Sequence, residues 1–130
     1  MPLQHSQLSP NTLAHNTLLP GKHVLLDFWG AKFLKDKEVI EGALQTAADA
    51  CGATVLSIQV HEFGESTGIT GVAILAESHI TIHTWPEIDY AALDIFVCGT
   101  CDPDKATKVL TNIFQPEKSK VTTHHRGQHV

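Results

Sequence analysis

Residues 71–87 read Gly71-Val72-Ala73-Ile74-Leu75-Ala76-Glu77-Ser78-His79-Ile80-Thr81-Ile82-His83-Thr84-Trp85-Pro86-Glu87. An apolar run leads to the Glu77-Ser78 bond, and after it apolar and polar residues alternate as far as a Trp-Pro-Glu stop. Alternation with a period of two is typical of a half-buried strand, so residues 69–76 and 79–85 are predicted to be consecutive β-strands. The Glu77-Ser78 bond then lies in a strained turn between them.

The segments on either side carry equally clear signals. Alternation or short apolar runs predict further strands at residues 23–29, 53–63, 90–98 and 119–126. Apolar residues recur at helical spacing over residues 38–51, between Asp36 as a possible cap and Gly52 as the stop. Asp102 as N-cap, followed by Pro103, predicts a second helix that ends near Pro116.

This succession of elements predicts an α/β fold of the α+β two-layer type, in the order β-α-β-β-β-α-β. We expect a largely antiparallel sheet with both helices packed on one face. The other face needs cover, and a second copy of the chain is a simple way to provide it. Residues 1–20 are predicted to be a flexible lead-in, residues 21–127 a single domain and residues 128–130 a tail.

The composition restricts the function. With 130 residues and a formal net charge of −5, the chain offers no basic cluster for binding nucleic acid. No apolar run approaches the roughly 18 residues of a membrane span, and the N-terminus lacks a signal-peptide pattern, so we expect a cytoplasmic protein. Cys51, Cys98 and Cys101 are an odd number without secretory context and are expected to be free thiols.

Several site types fit individual residues but not their spacing. His79, His83, Cys98 and Cys101 could ligate zinc, but two histidines four apart share a metal on a helix and not on a strand, so no metal is expected. The Cys98-Gly99-Thr100-Cys101 run resembles a dithiol redox motif, yet the predicted helix begins after the second cysteine. The residues around Ser78 do not form the Gly-x-Ser-x-Gly turn of a hydrolase.

Residues 77–87, together with Ala91-Ala92-Leu93-Asp94-Ile95-Phe96-Val97-Cys98-Gly99, resemble the prokaryotic S-adenosylmethionine decarboxylase proenzymes. The similarity runs from about Gly21 to Gly127 and includes Gly52-Ala53-Thr54 and Gly68-Ile69-Thr70-Gly71-Val72. It implies self-cleavage between Glu77 and Ser78 into a β chain of residues 1–77 and an α chain of residues 78–130. Ser78 would become a pyruvoyl group, the only cofactor, and would form a Schiff base with the substrate.

The resemblance also implies roles for other residues. The family assigns the proton transfer of processing to the residue matching His83, with support from a hydroxyl at Thr70, where the family pattern has Ser. Cys98 matches the proton donor of turnover. Phe63, Trp85 and Glu87 match or adjoin substrate-binding positions, and Asp27 stands where the family has Glu. A homodimer of αβ protomers, S-adenosylmethionine as substrate and a place in spermidine biosynthesis are implied as well.

Two alternatives stay open at this point. The same pyruvoyl chemistry could decarboxylate a basic amino acid such as ornithine or arginine, because the pocket alone selects the substrate. A non-enzymatic binding module could keep the fold without cleaving the chain. The joint presence of Glu77, Ser78, His83 and Cys98 speaks against that second alternative.

Overall fold

A computed structural model of the chain describes residues 21–127. The predictions for residues 1–20 and 128–130 lie outside this range. Six strands are present, namely β1 (Gly21–Trp29), β2 (Val55–Glu62), β3 (Ile69–Leu75), β4 (Ser78–Trp85), β5 (Tyr90–Val97) and β6 (Lys118–Arg126). The two α-helices are α1 (Lys37–Cys51) and α2 (Pro103–Phe114), and a single 3-10 turn covers Pro86–Ile88.

The strands form one sheet in the spatial order β2-β3-β4-β5-β1-β6. Every neighbouring pair is antiparallel. Both helices pack on the sheet, α1 against β2, β3 and β4, and α2 against β5 and β1. The predicted α+β class is therefore confirmed. The predicted order is one strand short. Four strands, β2 to β5, lie between the two helices in the sequence, whereas the predicted order has three there. The missing strand is β5, although its alternation is plain in the sequence.

Local signals explain where the first helix begins and ends. The Asp36 carboxylate accepts a hydrogen bond from the Val39 amide (3.1 Å) at the N-terminus of α1. Gly52 ends the helix with a left-handed φ of 88°, a conformation that glycine adopts without a steric cost. The apolar stripe of α1 is buried against the sheet, and Gly71 permits the close approach, since a Cβ there would meet Leu44 Cδ1 at 3.1 Å.

The core lies between the helices and the sheet. Its largest fully buried side chains include Phe28, Ile40, Leu44, Ile80, Ile82, Leu110 and Phe114. Neither helix within residues 21–127 is long and apolar enough to cross a membrane.

The opposite face of the sheet, called here the open face, is not covered by any element of residues 21–127. Alternation directs the odd-numbered residues of β1 and β4 and the even-numbered residues of β3 and β5 toward it. Leu25, Trp29, Ile74 and Trp85 on this face are 38%, 38%, 47% and 41% exposed. Large apolar side chains exposed together mark a binding surface more often than a solvent surface.

Candidate active site

The Glu77-Ser78 bond lies at the tip of the hairpin between β3 and β4. Leu75 pairs with Ser78, so Ala76 and Glu77 alone form the turn. Glu77 has a φ of 61°, a left-handed conformation that costs a residue with a Cβ roughly 1–2 kcal/mol. The Ala76 amide donates to the Thr54 carbonyl (2.9 Å), which anchors the turn to the segment after α1. The peptide bond to Ser78 is therefore held in a strained turn, in agreement with the sequence-based expectation.

Cys98 lies beside this turn. The β4–β5 register pairs His79 with Phe96, and continuing it by two residues places Cys98 next to Glu77. The thiol is half-buried. Glu77, Ser78 and Cys98 thus meet at one end of the sheet, which we call the cleavage end.

Most of the other predicted site residues lie at the opposite end of the same strands. They surround a cavity of about 250 Å³ lined by Phe63, Gly68, Ile69, Thr70, His83, Thr84, Trp85 and Glu87. Thr70 pairs with His83 across β3 and β4, and the Thr70 Oγ1 is 3.1 Å from the His83 Nδ1. We call this group the far-end cavity. A larger and more open depression of about 810 Å³ lies beside residues 31–38, but none of the predicted site residues line it.

The two ends are too far apart to form one site within a single chain. Ser78 and His83 are the first and sixth residues of β4, which pairs with both neighbouring strands without a register shift. At a rise of about 3.3 Å per residue, five residues span about 16 Å. Proton transfer requires heavy atoms about 3 Å apart or one bridging water. His83 therefore cannot reach the Ser78 of its own chain in this fold.

Asp27 occupies a different place from the other predicted binding residues. Its carboxylate accepts a hydrogen bond from the Tyr90 hydroxyl, and this bond raises the pKa of Tyr90 to about 12, with burial adding to the effect. Tyr90 stacks against Trp85 with ring centroids 5.4 Å apart. Asp27 thus supports the Trp85 wall of the far-end cavity from the open face and does not line the cavity itself.

A polar cluster on the open face was missed by the sequence analysis. The Asp94 Oδ2 is 2.6 Å from the His23 Nε2 and 2.9 Å from the His79 Nε2, and the Thr81 hydroxyl donates to the Asp94 Oδ1. Parity along β4 and β5 puts His79, Thr81 and Asp94 on one face and could have suggested this part of the cluster. His23 could not be added from the sequence, because nothing local shows that β1 pairs with β5.

The cluster resembles a metal site, since one ligand atom from each of His23, His79 and Asp94 lies within 4.8 Å of the others. Hydrogen bonding already accounts for the arrangement. The Arg126 guanidinium donates to the His23 Nδ1 (3.2 Å), which leaves the proton of a neutral His23 on Nε2, where it is donated to Asp94. A metal on Nε2 would move that proton to Nδ1, facing a cation.

Asp94 is held in its ionised form by this cluster. Burial alone would raise the pKa of the carboxyl, but the hydrogen bonds from Thr81, His23 and His79 together outweigh burial and hold the pKa below its usual range. One carboxylate on β5 therefore ties β1 and β4 together, four residues before Cys98 in the sequence.

The fold and the site define a small α+β sandwich with reactive groups at both ends of one antiparallel sheet. Residues 22–127 match the family described as S-adenosylmethionine decarboxylase. The chain belongs to this family, and the resemblance noted in the sequence is confirmed.

Individual relatives agree with this assignment. The chain is 44% identical over 110 residues to an S-adenosylmethionine decarboxylase proenzyme of Methanococcus maripaludis, covering 82% of this chain and 89% of the relative. The proenzyme of Thermomicrobium roseum is 40% identical over 108 residues, covering 82% and 93%. The crystal structure of the adenosylmethionine decarboxylase from Aquifex aeolicus superposes with a TM-score of 0.74 at 30% identity, covering 86% of this chain and 94% of that one.

Proposed function

We propose that the chain is a self-processing, pyruvoyl-dependent enzyme that converts S-adenosylmethionine to decarboxylated S-adenosylmethionine and CO2, and so provides the aminopropyl donor for spermidine synthesis. The observation that carries the proposal is the left-handed Glu77 immediately before Ser78, with Cys98 beside them. This arrangement occurs in a chain whose relatives are named proenzymes. Those names refer to S-adenosylmethionine, and nothing favours ornithine or arginine.

The strained turn supports cleavage by an acyl shift. The Ser78 hydroxyl attacks the Glu77 carbonyl carbon, the peptide bond breaks, and an ester joins the two halves. This step is uphill, and relief of the left-handed strain at Glu77 offsets part of its cost. The Ser78 hydroxyl now donates to the Ala76 carbonyl (3.3 Å), so a modest rotation releases it for attack. Loss of the Ser78 Cα proton then expels the Glu77 carboxylate and leaves dehydroalanine at the start of the α chain. Dehydroalanine tautomerises to an imine, and one water hydrolyses the imine to the pyruvoyl group with release of ammonia, so the α chain has a blocked N-terminus.

Cys98 is the proposed proton donor of turnover. The pyruvoyl group derived from Ser78 supplies a carbonyl that condenses with the substrate amine and accepts the electrons released as CO2 departs. Cys98 lies beside the turn that ends at Ser78, half-exposed, so its thiol can return a proton to the substrate Cα. Positioned acid catalysis of this kind contributes about 10²–10⁴-fold to a rate.

Each active site is proposed to form from two protomers. Because His83 lies about 16 Å from the Ser78 of its own chain by the rise of a strand, the far-end cavity must serve another chain's cleavage end. The open faces of two copies can stack about a two-fold axis that runs between the two sheets, parallel to them and perpendicular to the strands. This rotation places the cleavage end of each copy against the far-end cavity of the other. The exposed Leu25, Trp29 and Ile74 would become buried in the same step. This geometry supports the proposed homodimer of αβ protomers.

The far-end cavity supplies groups that suit the substrate. Phe63 is 65% exposed and can stack on adenine, and the Glu87 carboxylate can accept hydrogen bonds from ribose hydroxyls. Trp85 offers an aromatic wall for the sulfonium. At about 250 Å³ the cavity falls below the roughly 300–1,000 Å³ of ligand pockets, which agrees with a site completed by a partner.

Denaturing mass spectrometry tests the processing step. The purified protein should separate into two chains divided between Glu77 and Ser78, whereas Ser78→Ala should remain one chain of 14.1 kDa. A wild-type chain that stays whole after prolonged incubation would refute self-cleavage.

The substrate is tested by measuring CO2 release from S-adenosylmethionine, ornithine and arginine in separate assays. Release from S-adenosylmethionine is expected. Release from ornithine or arginine without release from S-adenosylmethionine would overturn the assignment.

The remaining expectations concern the surroundings of the enzyme. The net charge of −5 favours a cationic sulfonium substrate over nucleic acid. A cytoplasmic location is part of the same proposal, since the methyl-donor substrate and free thiols belong to a reducing compartment.

A further inference from the structure

Three thiols gather near the cleavage end. Cys51 is the last residue of α1, Cys98 follows β5, and Cys101 precedes the N-cap of α2. The Asp102 amide donates to the Cys51 carbonyl (3.1 Å), which joins the end of α1 to the start of α2. The Cys98 and Cys51 thiols both lie near enough to Cys101 to contribute to a raised pKa of the Cys101 thiol, after burial as the larger cause.

Cys98 and Cys101 lie at the two ends of one tight turn. The Cys101 amide donates to the Cys98 carbonyl (3.0 Å), the hydrogen bond that closes a four-residue β-turn. Such a turn keeps its end Cα atoms within about 7 Å, and disulfides span about 4.4–6.8 Å between Cα atoms. The two thiols can therefore be joined with little movement of the backbone.

The two thiols differ in exposure. Cys98 is half-buried and open to solvent at the site, whereas Cys101 is only 9% exposed. A small oxidant therefore reaches Cys98 first and finds Cys101 behind it. Cys51 is 4% exposed, and its thiol donates to the Ala48 carbonyl (3.3 Å) inside the helix, so it is already engaged.

We propose that Cys98 and Cys101 are a reversible modification site, at which a peroxide converts the two thiols to a disulfide and thereby removes the proton donor of turnover. This inference rests on the proposed role of Cys98. It extends that role by making decarboxylation sensitive to oxidants. No redox catalysis is proposed, because α2 begins at Pro103, after both cysteines, whereas dithiol oxidoreductases place the first cysteine at a helix N-terminus.

The reaction balances with hydrogen peroxide as the oxidant. The Cys98 thiol first releases its proton, and the thiolate attacks one peroxide oxygen. The O–O bond breaks, Cys98 becomes a sulfenic acid, and the hydroxide that leaves takes up the released proton to form one water. The Cys101 thiolate then attacks the Cys98 sulfur, and hydroxide leaves as the second water once protonated. Two thiols lose two electrons and two protons, and one peroxide is reduced to two waters. A dithiol reductant reverses the modification by exchange.

The second step should depend on pH in a defined direction. Burial, followed by the neighbouring Cys98 and Cys51, raises the pKa of the Cys101 thiol. Only the thiolate attacks, so the rate of disulfide closure should increase as pH rises toward that pKa. Oxidation of Cys98 to sulfenic acid does not require Cys101 and should not follow the Cys101 titration.

The experiment treats two proteins with hydrogen peroxide and maps their thiols by non-reducing peptide mass spectrometry. Ser78→Ala reports on the linkage without any need for activity, and the processed enzyme reports on turnover. In both proteins, a single peptide that contains an internal disulfide between Cys98 and Cys101 is expected. Decarboxylation should fall about 10²-fold or more on complete oxidation and return with dithiothreitol.

Matched variants separate this proposal from general oxidation damage. Cys51→Ser should behave like the parent protein, whereas Cys101→Ser should keep its basal activity but lose it irreversibly under peroxide, because sulfenic acid without a partner thiol oxidises further. Absence of the Cys98–Cys101 linkage in Ser78→Ala, or a Cys51–Cys101 linkage in its place, overturns the inference whatever the activity. A linkage in a protein without decarboxylase activity would instead refute the proposed function.

Discussion

At the scale of single residues, Glu77 links folding to chemistry. It is one of five residues other than glycine with a positive φ among residues 21–127, and it is the one that precedes the proposed cleavage point. A two-residue hairpin turn favours glycine or asparagine at such a position. A glutamate there keeps strain in the turn, and the proposed acyl shift releases it.

Replacing Glu77 tests whether that strain contributes to processing. Glu77→Gly adopts the left-handed turn without the roughly 1–2 kcal/mol cost, so self-cleavage should slow by about tenfold, the equivalent of about 1.4 kcal/mol. Thermal stability should change little, because glycine also gains entropy in the unfolded chain. The rate constant of cleavage after release from denaturant provides the measurement.

Glu77→Ala is the matched control, since it removes the carboxylate but keeps the strained φ. Cleavage of Glu77→Ala should stay near the wild-type rate. If glycine and alanine slow cleavage equally, the carboxylate and not the strain is responsible.

At the scale of elements, most boundaries follow from local signals. The observed helices and strands begin and end within two residues of the predicted bounds, because caps such as Asp36 and Asp102 and stops such as Gly52 act on their own neighbours. The cluster around Asp94 has no such local origin. It joins β1, β4 and β5, and the first of these is 71 residues away from Asp94 at His23.

The Asp94 cluster predicts how stability depends on acid. Since the folded pKa of Asp94 lies below its unfolded value of about 3.9, the stability from the ionised carboxylate is present above that pH and is lost as pH falls through the folded pKa. Asp94→Asn should lower stability at neutral pH by about 2 kcal/mol, the scale of hydrogen bonds to a charged group. It should also flatten the decline in stability below pH about 4.

Urea unfolding of the Ser78→Ala protein with and without Asp94→Asn, measured from neutral pH down to the acid limb, checks this. The Ser78→Ala background keeps each protomer in one piece, and all proteins are compared at the same concentration because the stability of a dimer depends on it. If the free energy of unfolding falls equally steeply with decreasing pH in both proteins, the assigned role of Asp94 is contradicted. Asp49→Asn serves as a control, because the Asp49 carboxylate accepts only an exposed hydrogen bond from Gln45.

At the scale of the whole molecule, the separation of the two ends of β4 is the decisive feature. Glu77, Ser78 and Cys98 lie at one end, and Thr70, His83 and the far-end cavity lie at the other. A monomer would hold two halves of a site that cannot meet. An isologous dimer would hold two complete sites.

Mixed dimers test this arrangement directly. His83→Ala and Ser78→Ala are each expected to stay uncleaved alone. When the two are co-expressed, the His83→Ala chain should be cleaved at its own Ser78, because the Ser78→Ala partner supplies His83. Mass spectrometry distinguishes the chains if one carries a tag.

Cleavage to about half of the His83→Ala chains is expected if equal amounts of the two proteins associate at random. No cleavage in mixtures shown to contain mixed dimers would mean that His83 acts within its own chain or not at all. Co-expression of the doubly substituted Ser78→Ala/His83→Ala chain with His83→Ala is the control and should restore no cleavage, because neither chain supplies His83.

The sequence by itself determined the secondary structure and the family, and it supplied the candidate scissile bond and the candidate thiol, because alternation, caps and the residues from Glu77 to Glu87 are local features. Only the tertiary structure decided that β1 lies between β5 and β6, that His23 joins His79 on Asp94, and that His83 faces away from its own Ser78. These depend on which distant strands pair and on the uninterrupted pairing of β4 from the hairpin tip. Strand pairing is set by packing of the whole core against both helices, which no local pattern encodes.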